Sequence, residues 1–172
     1  LPLPVIAAVD GFAFGAGLGL ALCADFVLAS ERAKFCSVFG RIGLVPDLGI
    51  LYTLPRAVGL SMAKELVYSA RVVEAEEARD IGLVHAIHPA DDLLDQAKAL
   101  AGRFENASPD AIRNAKHLLN QSLHQDIRTM GSLEVGAQGE LRETPYHKAA
   151  VKRFMAKEPA LFDWDAEKKD AG

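Results

Sequence analysis

A chain of 172 residues, of which 50% are hydrophobic, is long enough to bury a sizeable core, so a disordered tail is excluded. Its formal net charge is -4 and its 19 lysine and arginine residues are scattered, which argues against nucleic acid as a partner. The most apolar stretch, residues 11–24, is shorter than the roughly 20 residues of a membrane-spanning helix, so no membrane partner is expected.

Cysteine usage and the first ten residues indicate a cytoplasmic location. A secretory signal begins with a positively charged region, and residues 1–10 contain no lysine or arginine. Cys23 and Cys36 have neither CxxC spacing nor histidines at zinc spacing, so we expect reduced core thiols and no metal. The chain opens at Leu1 on a strand-like run, from which we expect that further sequence precedes it.

Strands and helices alternate through the first half of the chain. Residues 4–9 form a continuous apolar run that predicts a strand buried on both faces. Residues 11–19 predict a glycine loop, followed by a helix over residues 20–24 and a strand over residues 26–29. This order is typical of an α/β fold.

The same alternation continues to residue 87. Residues 34–38 predict a strand, and the Pro46-Asp47 pair predicts the start of a short helix. Further helices are expected over residues 61–70 and 74–81, and a strand over residues 83–87.

The remainder of the sequence has helical periodicity. Apolar spacing after Asp91 predicts one helix, and Ser108 with the following proline caps another. Residues 146–162 predict an amphipathic helix with lysines on its polar face. We therefore divide the chain into an α/β core over residues 1–105 and a helical region over residues 106–172.

The glycine loop is the first candidate for chemistry. A glycine-rich turn that leads into a helix exposes backbone N–H groups, which suit an anion or a developing oxyanion. The spacing of Gly15, Gly17 and Gly19 matches neither a P-loop nor a dinucleotide-binding motif. The alternative is that these glycines only allow close packing of strand and helix.

The second candidate is Asp47, which lies among apolar residues. Such an acid either caps the following helix or becomes a stronger base through desolvation. The sequence alone leaves both roles open.

Ordered motifs along the first 90 residues resemble those of the enoyl-CoA hydratase/isomerase (crotonase) family. They are PVIAAVDGFAFGAG, ALCAD, AKF, GLVPD, LPRAVG and, more distantly, ARDIGLV. Each motif is weak alone, but their order and spacing together are specific. The resemblance implies a ββα spiral core, incomplete at its N-terminus in this chain, with a helical C-terminal trimerisation region.

The resemblance also implies roles for residues around the loop. The backbone N–H of Ala16, shaped by Gly15 and Gly17, would supply half of an oxyanion hole, and an upstream segment the other half. Hydratases of the family carry two glutamates at the positions that are here Gly19 and Phe39. Asp47 matches instead the acid of the isomerases, such as those acting on ring-epoxide phenylacetyl-CoA.

An acyl-CoA thioester is therefore the expected substrate, with coenzyme A as part of it and no separate cofactor. Its acyl group would contact an apolar lining formed by Phe35, Val38, Phe39 and Ile42. In the C-terminal helix, Phe154 and Lys157 could meet the adenine and 3'-phosphate of CoA, although a solvated lysine face is equally compatible. The family resemblance implies a homotrimer or homohexamer.

These features predict an isomerase that stabilises a thioester enolate and moves a proton with Asp47 alone. Two alternatives stay open: a hydratase on the same scaffold, and a non-catalytic protein that binds acyl-CoA or serves in assembly.

Overall fold

The computed structural model describes residues 1–165 in two compact units. One unit comprises residues 4–101. The other comprises residues 1–3 together with the described residues from 102 onward. The division predicted from the sequence lies after residue 105.

Six strands of the first unit form two small sheets. In chain order they are β1 (Ile6–Val9), β2 (Phe12–Phe14), β3 (Phe26–Ser30), β4 (Lys34–Cys36), β5 (Val73–Glu74) and β6 (Ala86–His88). One sheet has the order β1-β3-β6 with parallel pairs, and the other has the order β2-β4-β5, in which β2 and β4 are parallel. The pair β4-β5 is antiparallel. From β1 to β4, successive strands thus alternate between the two sheets.

Helices make up most of the rest of the described residues. Those of the first unit are α1 (Ala16–Leu22), α2 (Ile50–Val58), α3 (Leu60–Ser69), α4 (Ala75–Asp80) and α5 (Leu93–Gly102), with a 3₁₀ turn over Val38–Ile42. Those of the second unit are α6 (Pro109–Gln121), α7 (Ile127–Arg142) and α8 (Pro145–Met155). None of the described helices has the length and apolar composition that crossing a bilayer requires.

The predicted α/β class is confirmed, and its core lies in the first unit. Phe35, Ile50 and Leu54 are among its largest fully buried side chains. The helices α2 and α3 each bury two residues, which together with β3 and β4 form one apolar cluster. Burial of such side chains is the main favourable term in folding.

The predicted cap at Ser108 is confirmed, because its hydroxyl accepts a hydrogen bond from the Ala111 N–H at 3.2 Å. Asp126 and Thr144 cap α7 and α8 in the same way. Each of these three helices is therefore capped by a side chain. That side chain accepts a hydrogen bond from a backbone N–H of the first turn, which would otherwise lack a partner.

Several predicted boundaries were wrong. Strand β1 is half-buried, with Ala8 exposed, because it lies at the edge of its sheet rather than at the centre. The glycine loop is shorter than predicted, since β2 and α1 take up most of it. The strand expected over residues 83–87 begins only at Ala86 and ends at His88, and α8 ends at Met155 instead of continuing to residue 162.

The prediction that both cysteines lie in the core is correct for Cys36 and wrong for Cys23. Both are free thiols, but Cys23 is exposed at the end of α1 and only Cys36 is buried. The described residues contain no group of three or more side chains arranged to hold a metal ion.

Candidate active site

The glycine turn before α1 is fixed by its backbone. Gly15 has φ 51° and ψ -114°, and its N–H donates to the Cys36 carbonyl at 3.0 Å. A Cβ at position 15 would lie 3.2 Å from Cγ1 of Val38, tighter than an ordinary contact. Positive φ and lack of space together require glycine at this position.

Ala16 is the first residue of α1 and is exposed. No described residue accepts a hydrogen bond from its N–H, as is usual for the first N–H of a helix. Because α1 has only seven residues, its dipole adds little, and the N–H itself is the useful donor. Gly17 has more room than Gly15, since a Cβ there would meet nothing nearer than the Phe12 carbonyl oxygen at 4.0 Å.

The 3₁₀ turn after β4 forms the wall beside this loop. Val38 and Phe39 are half-buried, and Cζ of Phe39 lies 3.7 Å from where a Cβ of Gly15 would be. Phe35 is only 1% exposed and belongs to the core cluster against which Phe39 packs, and a role of Phe35 in lining the site stays a prediction. Ile42 is 71% exposed, at the end of the turn.

Arg41 connects this turn to the end of α3, a contact that was not predicted from the sequence. Its Nε and Nη2 donate to the Ala70 carbonyl at 3.0 and 2.7 Å, and the Cys36 thiol donates to the same oxygen at 3.2 Å. Burial raises the pKa of Cys36, although the nearby Arg41 opposes this. A cation at the C-terminal end of a helix is favourable, so Arg41 stabilises the wall. A lone arginine within an apolar segment was the available sequence signal.

Asp47 lies ahead of α2 and does not cap it, so the capping hypothesis was wrong. The helix begins at Ile50, three residues after the predicted start, with Gly49 at the cap position and no side-chain hydrogen bond. The main-chain carbonyl of Asp47 accepts from the Ile50 N–H at 3.0 Å. Its carboxylate is exposed and makes no hydrogen bond or ion pair with the described residues.

The apolar surround expected for Asp47 is present but faces outward. The exposed apolar side chains near it in sequence are Ile42, Leu44, Val45, Leu48 and Leu51. The described residues therefore leave Asp47 open to solvent, and the prediction that its apolar neighbours desolvate it is wrong for this chain.

The structure brings the Asp47 segment against the helix that starts at Ala16. Leu48 packs so closely on α1 that a Cβ at Gly19 would lie 2.9 Å from the Leu48 Cβ. Ala16 and Gly19, three residues apart, share one face of α1 and are separated by about 4.5 Å along its axis. The acid and the free N–H are thus carried by segments in direct contact.

The two C-terminal candidates lie in the second unit. Phe154 is 81% exposed near the end of α8 and lines an apolar groove of about 460 Å³ with Tyr146, Val151 and Phe162. Lys157 lies beyond the helix, in a left-handed conformation with φ 56°. It is therefore not on the helical face predicted for it, and a role of either residue in CoA binding stays a prediction.

Comparison with known proteins identifies the family. The profile of the enoyl-CoA hydratase/isomerase family matches residues 1–165. A crotonyl-CoA hydratase of Syntrophomonas wolfei is 40% identical over 159 residues, which are 92% of this chain and 61% of that protein. A short-chain-enoyl-CoA hydratase of Clostridium acetobutylicum is 36% identical over 157 residues, covering 91% of this chain and 60% of that protein.

Solved structures agree with this assignment. The crystal structure of an enoyl-CoA hydratase/isomerase from Cupriavidus metallidurans superposes with a TM-score of 0.90 at 49% identity, covering 94% of this chain and 61% of that one. The chain thus spans about three fifths of the length of the relatives it matches. With a family profile over nearly its whole length and the same fold, the chain belongs to the enoyl-CoA hydratase/isomerase family.

Proposed function

We propose that the protein isomerises a double bond, or a strained ring, in an acyl-CoA thioester, with Asp47 as its only proton carrier. The observation that carries this is the contact between the Asp47 segment and α1 at Gly19, one turn after the free N–H of Ala16. An acid and an oxyanion donor on touching segments suit proton removal next to a carbonyl group.

In the proposed reaction, the Asp47 carboxylate removes a proton from one carbon of the acyl chain. The electron pair left behind moves onto the thioester oxygen, where the Ala16 N–H and a second donor stabilise the enolate. One such donor typically contributes about 3 kcal/mol to the transition state. Asp47 then returns the same proton to a different carbon, so no atom is gained or lost.

Positions 19 and 39 support isomerisation over hydration. Family hydratases use carboxylates at these two positions to hold and split water, whereas here they are glycine and phenylalanine. Position 19 has no space for a side chain beside Leu48. Phe39, together with Val38, gives the wall an apolar surface that disfavours water near the enolate.

Hydration is the second candidate, favoured by the names of the relatives. Both curated relatives described above are called hydratases. For this chain to hydrate a double bond, Asp47 would have to activate water alone. The third possibility, a non-catalytic acyl-CoA-binding protein, predicts binding without any proton exchange.

Replacing Asp47 by Asn in the purified protein tests the proposal. Proton exchange at the α-carbon, followed in D₂O, and isomerisation of a β,γ-unsaturated acyl-CoA should fall about 10²–10⁴-fold, while acyl-CoA binding persists. Asp91→Asn changes an exposed acid in a turn of the same unit and should keep full activity. Unchanged exchange in Asp47→Asn would rule out the proposed role.

Two further measurements separate the alternatives. Efficient formation of 3-hydroxybutyryl-CoA from crotonyl-CoA would favour the hydratase. Acyl-CoA binding with no exchange in the unmodified protein would favour the non-catalytic protein.

We also propose that the protein assembles as a homotrimer or homohexamer. Helices α6, α7 and α8 bury no residue completely, and Leu119, Ile127, Val135 and Phe154 are exposed large apolar side chains on or next to them. Such surfaces usually mark contacts with another protein. A mass equal to one chain by light scattering at micromolar concentration would contradict the assembly.

A further inference from the structure

We infer that Gly19 and Leu48 form a steric interlock that positions the Asp47 carboxylate, which makes Gly19 a positioning residue. This inference rests on the proposed proton transfer by Asp47. The two residues are 29 positions apart in the sequence, and neither carries a group that reacts.

The interlock depends on the missing side chain at position 19. A Cβ there would lie 2.9 Å from the Leu48 Cβ, 3.3 Å from the Leu48 carbonyl oxygen and 3.4 Å from Cγ1 of Ile50. The first distance is shorter than real carbon–carbon contacts, and the second involves backbone. Any side chain at position 19 therefore pushes the main chain of residue 48 away from α1.

The backbone at Leu48 is strained in a way that only its surroundings can maintain. Leu48 has φ 49°, and Gly49 follows with φ 76°, so two consecutive residues are left-handed. For a leucine this conformation is unfavourable, and it persists only where neighbouring structure fixes it. Such strain is typical of functional sites.

Buried residues lie on both sides of Asp47 in the sequence, so a displacement of Leu48 is expected to move Asp47 as well. Ile50 and Leu54 are fully buried in the core and hold the start of α2 in place. Pro46 is buried on the other side. With Ile50 fixed, the backbone between Pro46 and Ile50 has to absorb any shift, and Asp47 lies within this segment.

A shift of this kind is expected to slow the reaction more than it weakens binding. Misplacement of a reacting group by about 1 Å lowers the rate by about 10²-fold. Substrate binding draws on many other contacts and should change little. A positioning role therefore predicts a lower kcat at nearly constant KM.

The test is a double-mutant cycle with Gly19→Ala and Leu48→Gly. We expect Gly19→Ala to lower the kcat of isomerisation about tenfold to a hundredfold. Leu48→Gly removes the nearest clashing atom, the Leu48 Cβ at 2.9 Å, and tolerates the left-handed conformation. Adding Gly19→Ala to it should therefore lower kcat by a smaller factor than in the original protein, because only the contact with the carbonyl oxygen of residue 48 at 3.3 Å and that with Ile50 remain. Gly102→Ala, which adds a methyl group at the end of α5 where there is open space, serves as the matched control and should leave kcat unchanged.

The outcomes separate the interlock from the proposed function. If Asp47→Asn abolishes proton exchange while Gly19→Ala keeps full kcat, the interlock is wrong and the proposed function stands. If Asp47→Asn retains exchange, the proposed function is wrong, whatever Gly19→Ala does. Equal losses from Gly19→Ala in the original and Leu48→Gly backgrounds would also overturn the interlock.

Thermal melting distinguishes positioning from general destabilisation. The interlock predicts that Gly19→Ala lowers kcat in protein that is still fully folded at the assay temperature. Should Gly19→Ala fail to fold, Leu48→Gly alone carries the test. It frees the backbone next to Asp47, so a reduced kcat in folded protein supports the interlock and an unchanged kcat overturns it.

Discussion

The two units of the chain are stabilised in different ways. The first unit encloses a contiguous apolar cluster that contains Phe35, Ile50 and Leu54. In the second unit, Ala107 is the only apolar residue of the described part that is buried, and α6, α7 and α8 bury none of their side chains completely. The candidate acid and oxyanion donor therefore rest on the unit with its own core, whereas the second unit has surfaces suited to assembly.

The largest expected effect is the loss of a core side chain from the first unit. Leu54 is 0% exposed, so Leu54→Ala should lower the free energy of unfolding by about 2–5 kcal/mol through lost burial and the cavity left behind. Leu119, in the second unit, is 71% exposed, so Leu119→Ala should change the free energy of unfolding of the monomeric protein by less than about 0.5 kcal/mol. Urea denaturation at a concentration where the chain is monomeric measures both. Equal losses would contradict the difference between the units.

A smaller effect is expected from a helix cap in the second unit. Ser108→Ala removes the hydroxyl that accepts from the Ala111 N–H, and should cost about 1 kcal/mol. Ser108→Asp keeps an acceptor at the same position and should retain most of the stability. If the two variants unfold alike, the hydroxyl contributes nothing, and the stability of α6 has another source.

The sequence predicted those elements that depend on neighbouring residues. The strand-like run of β3 and the Ser-Pro-Asp start of α6 were found because a strand and a capped helix leave their signals within a few residues. The family motifs added the positions of Ala16 and Asp47. What these signals have in common is that the information lies close together in the chain.

The features that were missed depend on contacts between distant residues. The start of α2 was misplaced because Leu48 adopts a left-handed conformation that a leucine rarely takes without tertiary support. The near-complete burial of Phe35 was not predicted because the sequence does not show which face of β4 points into the core. Arg41 was overlooked since its acceptor, the Ala70 carbonyl, is 29 residues away. Spatial proximity of this kind cannot be derived from local periodicity.

The smallest expected effect concerns pH and compares one acid from each unit. In the first unit, hydrogen bonds from Arg32 to both carboxylate oxygens, at 2.7 and 2.6 Å, lower the pKa of Asp10 to about 2. In the second unit, the Thr129 hydroxyl and backbone N–H groups at the start of α7 lower the pKa of Asp126. Because both values are depressed on folding, each contribution is fully present above the ordinary carboxyl pKa near 3.8 and is lost as the pH falls through the folded value.

Replacement of each acid by its amide separates charge from hydrogen bonding. Asp10→Asn loses the ion pair with Arg32, so it should be less stable than the original protein at pH 6, and most of this difference should be lost by about pH 2. Asp126→Asn still presents an oxygen to the Arg128 and Thr129 N–H groups, so it should lose less stability than Asp10→Asn does. Urea titrations between pH 2 and 7 measure both differences. Added salt should shrink the effect of Asp10→Asn, since the pair is exposed, and a difference that persists unchanged at pH 2 would show that Asp10 acts through something other than its charge.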